Sequence, residues 1–226
     1  SFTHAGIVNT VIRHNELHHL GFRSDRNSAV GSLLVRADKL RFEGNHVHHV
    51  AHNGVLFSRS VIQSPKEWGF SPEEIRTGEI VVKDNLFEKA CQLTTDCGAL
   101  KFWGDPPDEH VFRDVLVTGT VFRNTVGWSY VSEKRGLRSG GASSDVQGMA
   151  GRGVYVDHAS GIHVYRNIAY NNAFAGFVSY ADWRDGDMIY YNNIAANSLY
   201  GFRLRGLDYD THPSVNPRIE LAAMLL

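Results

Sequence analysis

GVYVDHASGIHVYRN, residues 153–167, places a strand, a polar corner and a second strand within fifteen residues. In Gly153-Val154-Tyr155-Val156-Asp157 the apolar residues alternate, so Val154 and Val156 face a core while Tyr155 and Asp157 face out. Ser160-Gly161 turns the chain, and Ile162, Val164 and Ile168 begin another apolar ladder around Asn167. A strand, a tight corner and a strand with no helical spacer is the unit of a parallel coil.

That unit recurs. Aligned on an asparagine or its equivalent, the chain gives TVIRHNEL (10–17), LRFEGNHV (40–47), IVVKDNLF (80–87), VLVTGTVF (115–122), IHVYRNIA (162–169) and MIYYNNIA (188–195). The aligned residues are Asn15, Asn45, Asn85, Thr120, Asn167 and Asn193, at steps of 30, 40, 35, 47 and 26 residues, so each coil carries its own insertion. A second, shorter ladder opens on glycine: Gly21-Phe22, Gly54-Val55, Gly98-Ala99-Leu100, Gly153-Val154, Gly176-Phe177 and Gly201-Phe202. Glycine at a fixed corner suits a backbone needing positive φ. Asparagine repeated at one corner stacks on itself, each amide bonding the next rung, and tolerates the left-handed conformation. Nothing catalytic is needed to explain these asparagines. The repeats predict an all-β chain: a single-stranded parallel β-helix, right-handed, with loop excursions near 58–78 and 127–152.

Composition fits one solenoid domain over residues 1–226. A net charge of −1 argues against a nucleic acid held by bulk electrostatics. No apolar run approaches the roughly 20 residues of a membrane span, so no membrane partner is expected. The two ends read as cut rather than capped, which predicts part of a longer protein. Cys91 and Cys97, the two cysteines, lie six residues apart around a corner. A bridge and a buried thiol pair both fit that spacing.

Along the chain, three features depart from plain coil. The first two coils carry His18-His19 and His48-His49, with His14, His46 and His52 nearby. Alignment puts His18 over His48 and His19 over His49 on rungs about 4.8 Å apart. Such a cluster has the chemistry to bind a metal or take protons, but a solvated corner that tolerates irregular backbone explains it as well, and no metal or other cofactor is expected. Ser71-Pro72-Glu73-Glu74 carries a helix start inside the first excursion. The stretch 127–153, with Ser139-Gly140-Gly141, reads as a flexible loop between two coils.

The glycine ladder carries the functional face. One outward file collects Arg23, Leu56, Lys101, Tyr155, Val178 and Arg203, and the next collects Asp25, Ser58, Trp103, Asp157, Tyr180 and Arg205. Aromatics and charges interleave along an extended groove, and carbohydrate is the polymer best matched to that pattern, with Trp103 as a platform for a sugar ring.

The two ladders look like the repeat of right-handed β-helix carbohydrate-active enzymes. Asp96-Cys97-Gly98-Ala99-Leu100 with Gly153-Val154-Tyr155-Val156-Asp157 resembles the paired motifs of glycoside hydrolases like those of family 141. The chain lacks the Asp-Pro-His motif of β-helix uronan epimerases, having Asp105-Pro106-Pro107, and no tidy Lys/Arg pair marks an alginate lyase. The resemblance implies a secreted or periplasmic microbial enzyme that hydrolyses polysaccharide or oligosaccharide, expected as a monomer. Glycoside hydrolysis needs an acid and a second carboxylate. Asp96 and Asp157 are the candidate pair, with Asp96 the acid because Trp103 and the Pro106-Pro107 loop can desolvate it. Lys101, Trp103, Tyr155, His158, Tyr180 and Arg203 are the candidate substrate-binding residues, His158 also orienting Asp157. Two other classes fit the same fold: a polysaccharide lyase, and a non-catalytic carbohydrate-binding or adhesin-like shaft.

Overall fold

The structure, a computed structural model, describes residues 7–21, 33–35, 37–58, 79–93, 97–103, 112, 114–127, 151–159, 161–181, 188–206 and 219–222. Among these there is no helix. Nineteen strands form three parallel sheets. The first sheet contains β1 (Ile7–Arg13), β4 (Ala37–Glu43), β7 (Val81–Lys83), β10 (Val115–Thr118), β13 (Ile162–Tyr165), β16 (Met188–Tyr191) and β19 (Ile219–Ala222). The second contains β2 (Glu16–His18), β5 (His46–His48), β8 (Leu86–Glu88), β11 (Val121–Arg123), β14 (Ile168–Tyr170) and β17 (Ile194–Ala196). The third contains β3 (Leu33–Val35), β6 (Val55–Ser58), β9 (Gly98–Trp103), β12 (Arg152–Ala159), β15 (Ala175–Ala181) and β18 (Tyr200–Gly206). The chain visits the sheets in one fixed order, and each strand pairs in parallel with its equivalent one circuit away. This parallel coil is compatible with a β-helix-like solenoid. The predicted helix start at Ser71 and the excursions over 59–78 and 128–150 lie outside the described residues.

Stacking of like on like builds the core. Phe87 and Phe122 lie on successive rungs of the second sheet, 5.2 Å between ring centres, and Phe42 reaches Phe87 from the first sheet at 6.2 Å. Phe57 lies on Phe102 at 5.1 Å, and Phe177 on Phe202 at 4.9 Å. The remaining interior is aliphatic, with Leu40, Val82, Val117 and Val164 buried in the first sheet.

The asparagine ladder forms along the corner between the first and second sheets. Asn45 Oδ1 accepts the Asn15 backbone N–H (3.0 Å) and the Asn15 amide (3.1 Å), while the Asn45 amide donates to Ile12 O (2.9 Å). The same exchange links Asn45 to Asn85 and Asn167 to Asn193. Thr120 keeps the ladder continuous: its Oγ1 accepts the Asn85 N–H at 3.3 Å, and its own N–H donates to Asn167 Oδ1 at 3.0 Å. A second polar ladder marks the next corner, where Thr125 N–H donates to Asn172 Oδ1 and Asn172 N–H to Ser198 Oγ.

Gly21 has the expected positive φ (80°), but Gly54, Gly98, Gly153, Gly176 and Gly201 do not. The left-handed residue is the one before each ladder position: His14, Gly44, Asp84, Gly119, Arg166 and Asn192, all at φ between 53° and 61°. A second set follows the strands of the second sheet, at His19, His49, Lys89, Asn124, Asn171 and Asn197. Among the described residues, ten of the fifteen non-glycine residues in this conformation are Asn, Asp or His, whose short polar side chains tolerate it best. The glycines that open the third-sheet strands serve close approach instead. A Cβ on Gly54 would lie 2.4 Å from Ala99 O, and one on Gly153 would lie 2.5 Å from Gly176 O.

Two further readings are corrected. The rung beside β6 is β3, and Leu34 stands opposite Leu56 where the sequence alignment put Arg23, a residue outside the described ones. Arg152, assigned by the sequence to the second excursion, opens β12 opposite Gly98. The open question about the cysteines closes on the bridge: Cys91 and Cys97 are disulfide-bonded, Cα atoms 5.8 Å apart, and both are buried.

Candidate functional site

From β6 to β18 the register of the third sheet is the one the sequence implies. Lys101 stands opposite Tyr155, Trp103 opposite Asp157, Val178 opposite both Tyr155 and Arg203, and Tyr180 opposite Asp157. Alternation turns Leu100, Phe102, Val154 and Val156 into the core and leaves this file on the other face. The file is nevertheless covered. Leu56, Lys101, Tyr155, Val178 and Asp157 are all buried, while Trp103, Tyr180 and Arg203 are half-buried. At these positions the outward file is thus a largely buried site with half-buried aromatics beside it.

At its centre Lys101 Nζ lies 2.9 Å from Asp157 Oδ2, with side chains only 8% and 11% exposed. The same ammonium sits 4.3 Å from the centre of the Tyr155 ring. The guanidinium of Arg152 lies 4.1 Å from that ring centre and 5.4 Å from that of Phe174, and it donates to Cys97 O at 3.3 Å. Tyr180 meets Tyr155 edge-on at 5.7 Å. Two cations, a carboxylate and a phenol thus share one small desolvated volume, where electrostatic interactions are far stronger than in water.

Of the predicted site residues, Lys101, Trp103, Tyr155, Asp157 and Tyr180 are brought together on three adjacent strands. Arg203 stands two rungs from Tyr155, across Val178, and its guanidinium lies over Phe174 (5.0 Å) and Tyr200 (5.5 Å). His158 belongs to β12, but its side chain lies outside the described residues, as does Asp96 altogether. The strand that Asp96 precedes begins with Gly98 opposite Arg152, whereas Asp157 stands opposite Trp103 at that strand's far end. Arg152 and Phe174 escaped the sequence reading. The signal for Arg152 was a charged residue directly before a rung glycine, hidden inside an apparent loop.

A second constellation lies on the outer face of the second sheet. Three places beyond each ladder residue, the register stacks His18, His48, Glu88, Arg123 and Tyr170 in one file. One place beyond, it stacks Glu16, His46 and Leu86. His18 lies parallel to His48 at 5.2 Å, and His19 to His49 at 5.1 Å, as the alignment predicts. His48 Nε2 meets Glu16 Oε1 at 2.9 Å, and His48 Nδ1 meets His49 Nδ1 at 2.6 Å. Arg123 donates from Nε to Glu88 Oε2 at 2.6 Å and from a terminal nitrogen to the Tyr170 hydroxyl at 3.0 Å.

The ionisation of this face follows from its contacts. Burial works to raise the Glu88 pKa, but the Arg123 hydrogen bond and charge prevail and hold it below the ordinary carboxylate value. The hydrogen bond with His48 lowers that of exposed Glu16. Desolvation, then the charge of Lys89, lowers that of His49. Glu16, Glu88, Arg123 and Tyr170 were missed by the sequence reading, although the alignment that paired the histidines already placed three of them at the same offset.

Compared with known proteins, the chain matches no family model, no curated protein and no solved structure.

Proposed function

We propose that this chain is a carbohydrate-active protein wound as a right-handed parallel β-helix, and that it hydrolyses glycosidic bonds at Asp157. The handedness rests on the strong preference of parallel crossover connections for that hand. The observation that carries the function is the buried Lys101–Asp157 pair, bordered in register by Trp103 and Tyr180. Burying two charges costs several kcal/mol per ion before their attraction offsets it, and apolar residues of similar volume are often as stable or more so (about 1–4 kcal/mol). The same file holds Leu56 and Val178 on neighbouring rungs, so the fold accepts an apolar side chain there. Desolvated charge kept where the packing does not need it marks a functional site.

In this reading the ion-paired Asp157 is the nucleophile or base and a second carboxylate protonates the leaving oxygen, Asp96 being the candidate that the sequence offers for it. Lys101 orients the carboxylate, the role first expected of His158. Trp103 and Tyr180 offer apolar ring faces to a pyranose, and Tyr155 and Arg203 complete the binding set with His158. The substrate is polysaccharide or oligosaccharide, bound by a monomer. The Cys91–Cys97 bridge supports an oxidising compartment, hence a secreted or periplasmic full-length protein.

Lyase chemistry is a second reading, favoured by the two cations, Lys101 and Arg152, that flank the Tyr155 ring. A uronate lyase needs a cation to neutralise the sugar carboxylate and a base such as tyrosine or lysine to take the adjacent proton. The test incubates the protein with a panel of neutral and uronic polysaccharides and analyses the products. New reducing ends without unsaturation, abolished by Asp157→Asn and by Asp96→Asn with folding intact, are the expected result. Unsaturated ends would replace hydrolase by lyase, and binding without turnover by the intact protein would leave only a binding shaft. Hydrolysis that survives both substitutions would remove the carboxylates from the mechanism.

A further inference from the structure

We propose that Glu16, His46 and His48 form a binding site for a zinc-class divalent cation on the outer face of the second sheet, away from the strands that carry Asp157. The three ligand atoms lie within 4.8 Å of one another, and two imidazoles with one carboxylate are a donor set suited to zinc. Ligands at about 2.0–2.1 Å from one tetrahedral ion stand about 3.3 Å apart. His48 Nε2 and Glu16 Oε1 are 2.9 Å apart, so that pair needs little movement, and His46, within 4.8 Å of both, needs at most about 1.5 Å.

Two features of the cluster itself call for a cation. His46 Nε2 is buried, and among the described residues it has no hydrogen-bond partner; its nearest anion, Glu88 Oε1, stands at 3.6 Å, beyond hydrogen-bonding reach. A buried ring nitrogen with nothing to bond is uncommon, and a bound metal is among its ordinary explanations. The second feature is the tautomer of His48. Its Nδ1 is 2.6 Å from His49 Nδ1, so a proton lies between those rings. In the metal-free protein His48 Nε2 donates to Glu16 at 2.9 Å; shifting the proton shared between the two Nδ1 atoms onto His48 frees the Nε2 lone pair for a metal ion. A ligating histidine that donates its other ring N–H to a neighbouring acceptor is the usual second layer of a metal site, and His49 takes that place. Glu88, fixed by Arg123, adds a carboxylate beside the open side of the cluster.

The parallel rungs preassemble the site. Glu16 and His46 are direct register partners on β2 and β5, and His48 is two residues further on β5, on the same face. Three ligands leave the fourth position of a tetrahedral ion for water or a ligand group.

The experiment titrates Zn2+ into the chelator-stripped protein by calorimetry and follows Co2+ substitution by visible absorption. Saturable one-to-one binding is expected, with the intense visible bands of a four-coordinate Co2+ site. His46→Ala, His48→Ala and Glu16→Gln should each weaken Zn2+ affinity tenfold or more, while His163→Ala, on the exposed face of β13, leaves it unchanged. Glu16 is exposed, so Glu16→Gln keeps the fold and the test stands even if a histidine variant does not. No saturable binding, or affinity that is the same in Glu16→Gln as in the unaltered protein, would overturn the assignment.

Discussion

Replacing Asn167 measures what the polar ladder contributes. Asn167 is fully buried; its Oδ1 accepts the Thr120 N–H at 3.0 Å, and its amide donates to Val117 O at 2.9 Å and Asn193 Oδ1 at 3.0 Å. In Asn167→Ala the Thr120 N–H loses this acceptor inside the protein, which costs about 1–3 kcal/mol, and two further bonds vanish at about 0.5–1.5 kcal/mol each. Asn193 Oδ1 keeps the backbone N–H of residue 167, so only part of its bonding is lost. The expected destabilisation is about 4 kcal/mol, a large share of the roughly 5–15 kcal/mol that holds a domain together. Asn167→Thr is the informative control, because Thr120 shows how threonine fills this corner: its Oγ1 accepts from the rung before and donates to Thr118 O at 3.1 Å. A threonine in place of Asn167 therefore keeps the acceptor for Thr120 N–H and should cost only about 1–3 kcal/mol. Urea unfolding followed by far-ultraviolet circular dichroism, with slopes compared to check for one transition, measures both. Equal destabilisation by the two variants, or a loss below about 1 kcal/mol for alanine, would refute the claim that the buried acceptor is the ladder's main contribution.

Gly153→Ala should destabilise by at least about 2 kcal/mol, since its Cβ would lie 2.5 Å from the Gly176 backbone oxygen, while Gly201→Ala, whose nearest neighbour would be Ala195 Cβ at 3.4 Å, should stay within about 0.5 kcal/mol; thermal unfolding separates them. Acid should weaken the fold in two stages. His49 and Glu88 both have lowered pKa values when folded, so the unfolded chain binds the extra protons first, and stability present at neutral pH is lost as pH falls through each folded pKa. His49→Asn, which keeps a residue suited to φ 50°, should flatten the decline that runs downward from the ordinary imidazole pKa, and Glu88→Gln the one that runs downward from the ordinary carboxylate pKa, in unfolding midpoints measured against pH. Asp157→Ala should cost about 3–5 kcal/mol by removing the carboxylate from the buried Lys101 charge, whereas Lys101→Met with Asp157→Val should restore stability to that of the unaltered protein or better. A double variant less stable than Asp157→Ala would mean that the pair is there for stability.

The coil was legible because its signals are periodic and repeated. Asn15, Asn45, Asn85, Asn167 and Asn193 recur with a β-branched or aromatic ladder on either side, and only a rung that stacks on itself gives one polar residue that regularity. The failures share a cause. The sequence shows that Gly153 must be glycine but not whether φ or a neighbouring carbonyl requires it, and here the carbonyl does. The rung Leu33–Val35 was missed because it opens on no glycine.

Facing is likewise written in the two-residue period, but covering is not. Lys101, Tyr155 and Asp157 point away from the core as alternation requires, yet they are buried, because burial depends on what other segments lay over the sheet. An alignment fixes neighbours across rungs only when every column is read. The column three places beyond the asparagine contains His18, His48, Glu88, Arg123 and Tyr170, and reading it for histidine alone found two of the five. Its chemistry is a sequence of complementary neighbours, with Glu88 between an imidazole and a guanidinium and Arg123 between a carboxylate and a phenol. In a parallel coil the neighbours of residue i are its register partners one circuit away, about 4.8 Å distant, so an outward column is the natural unit in which to look for a site.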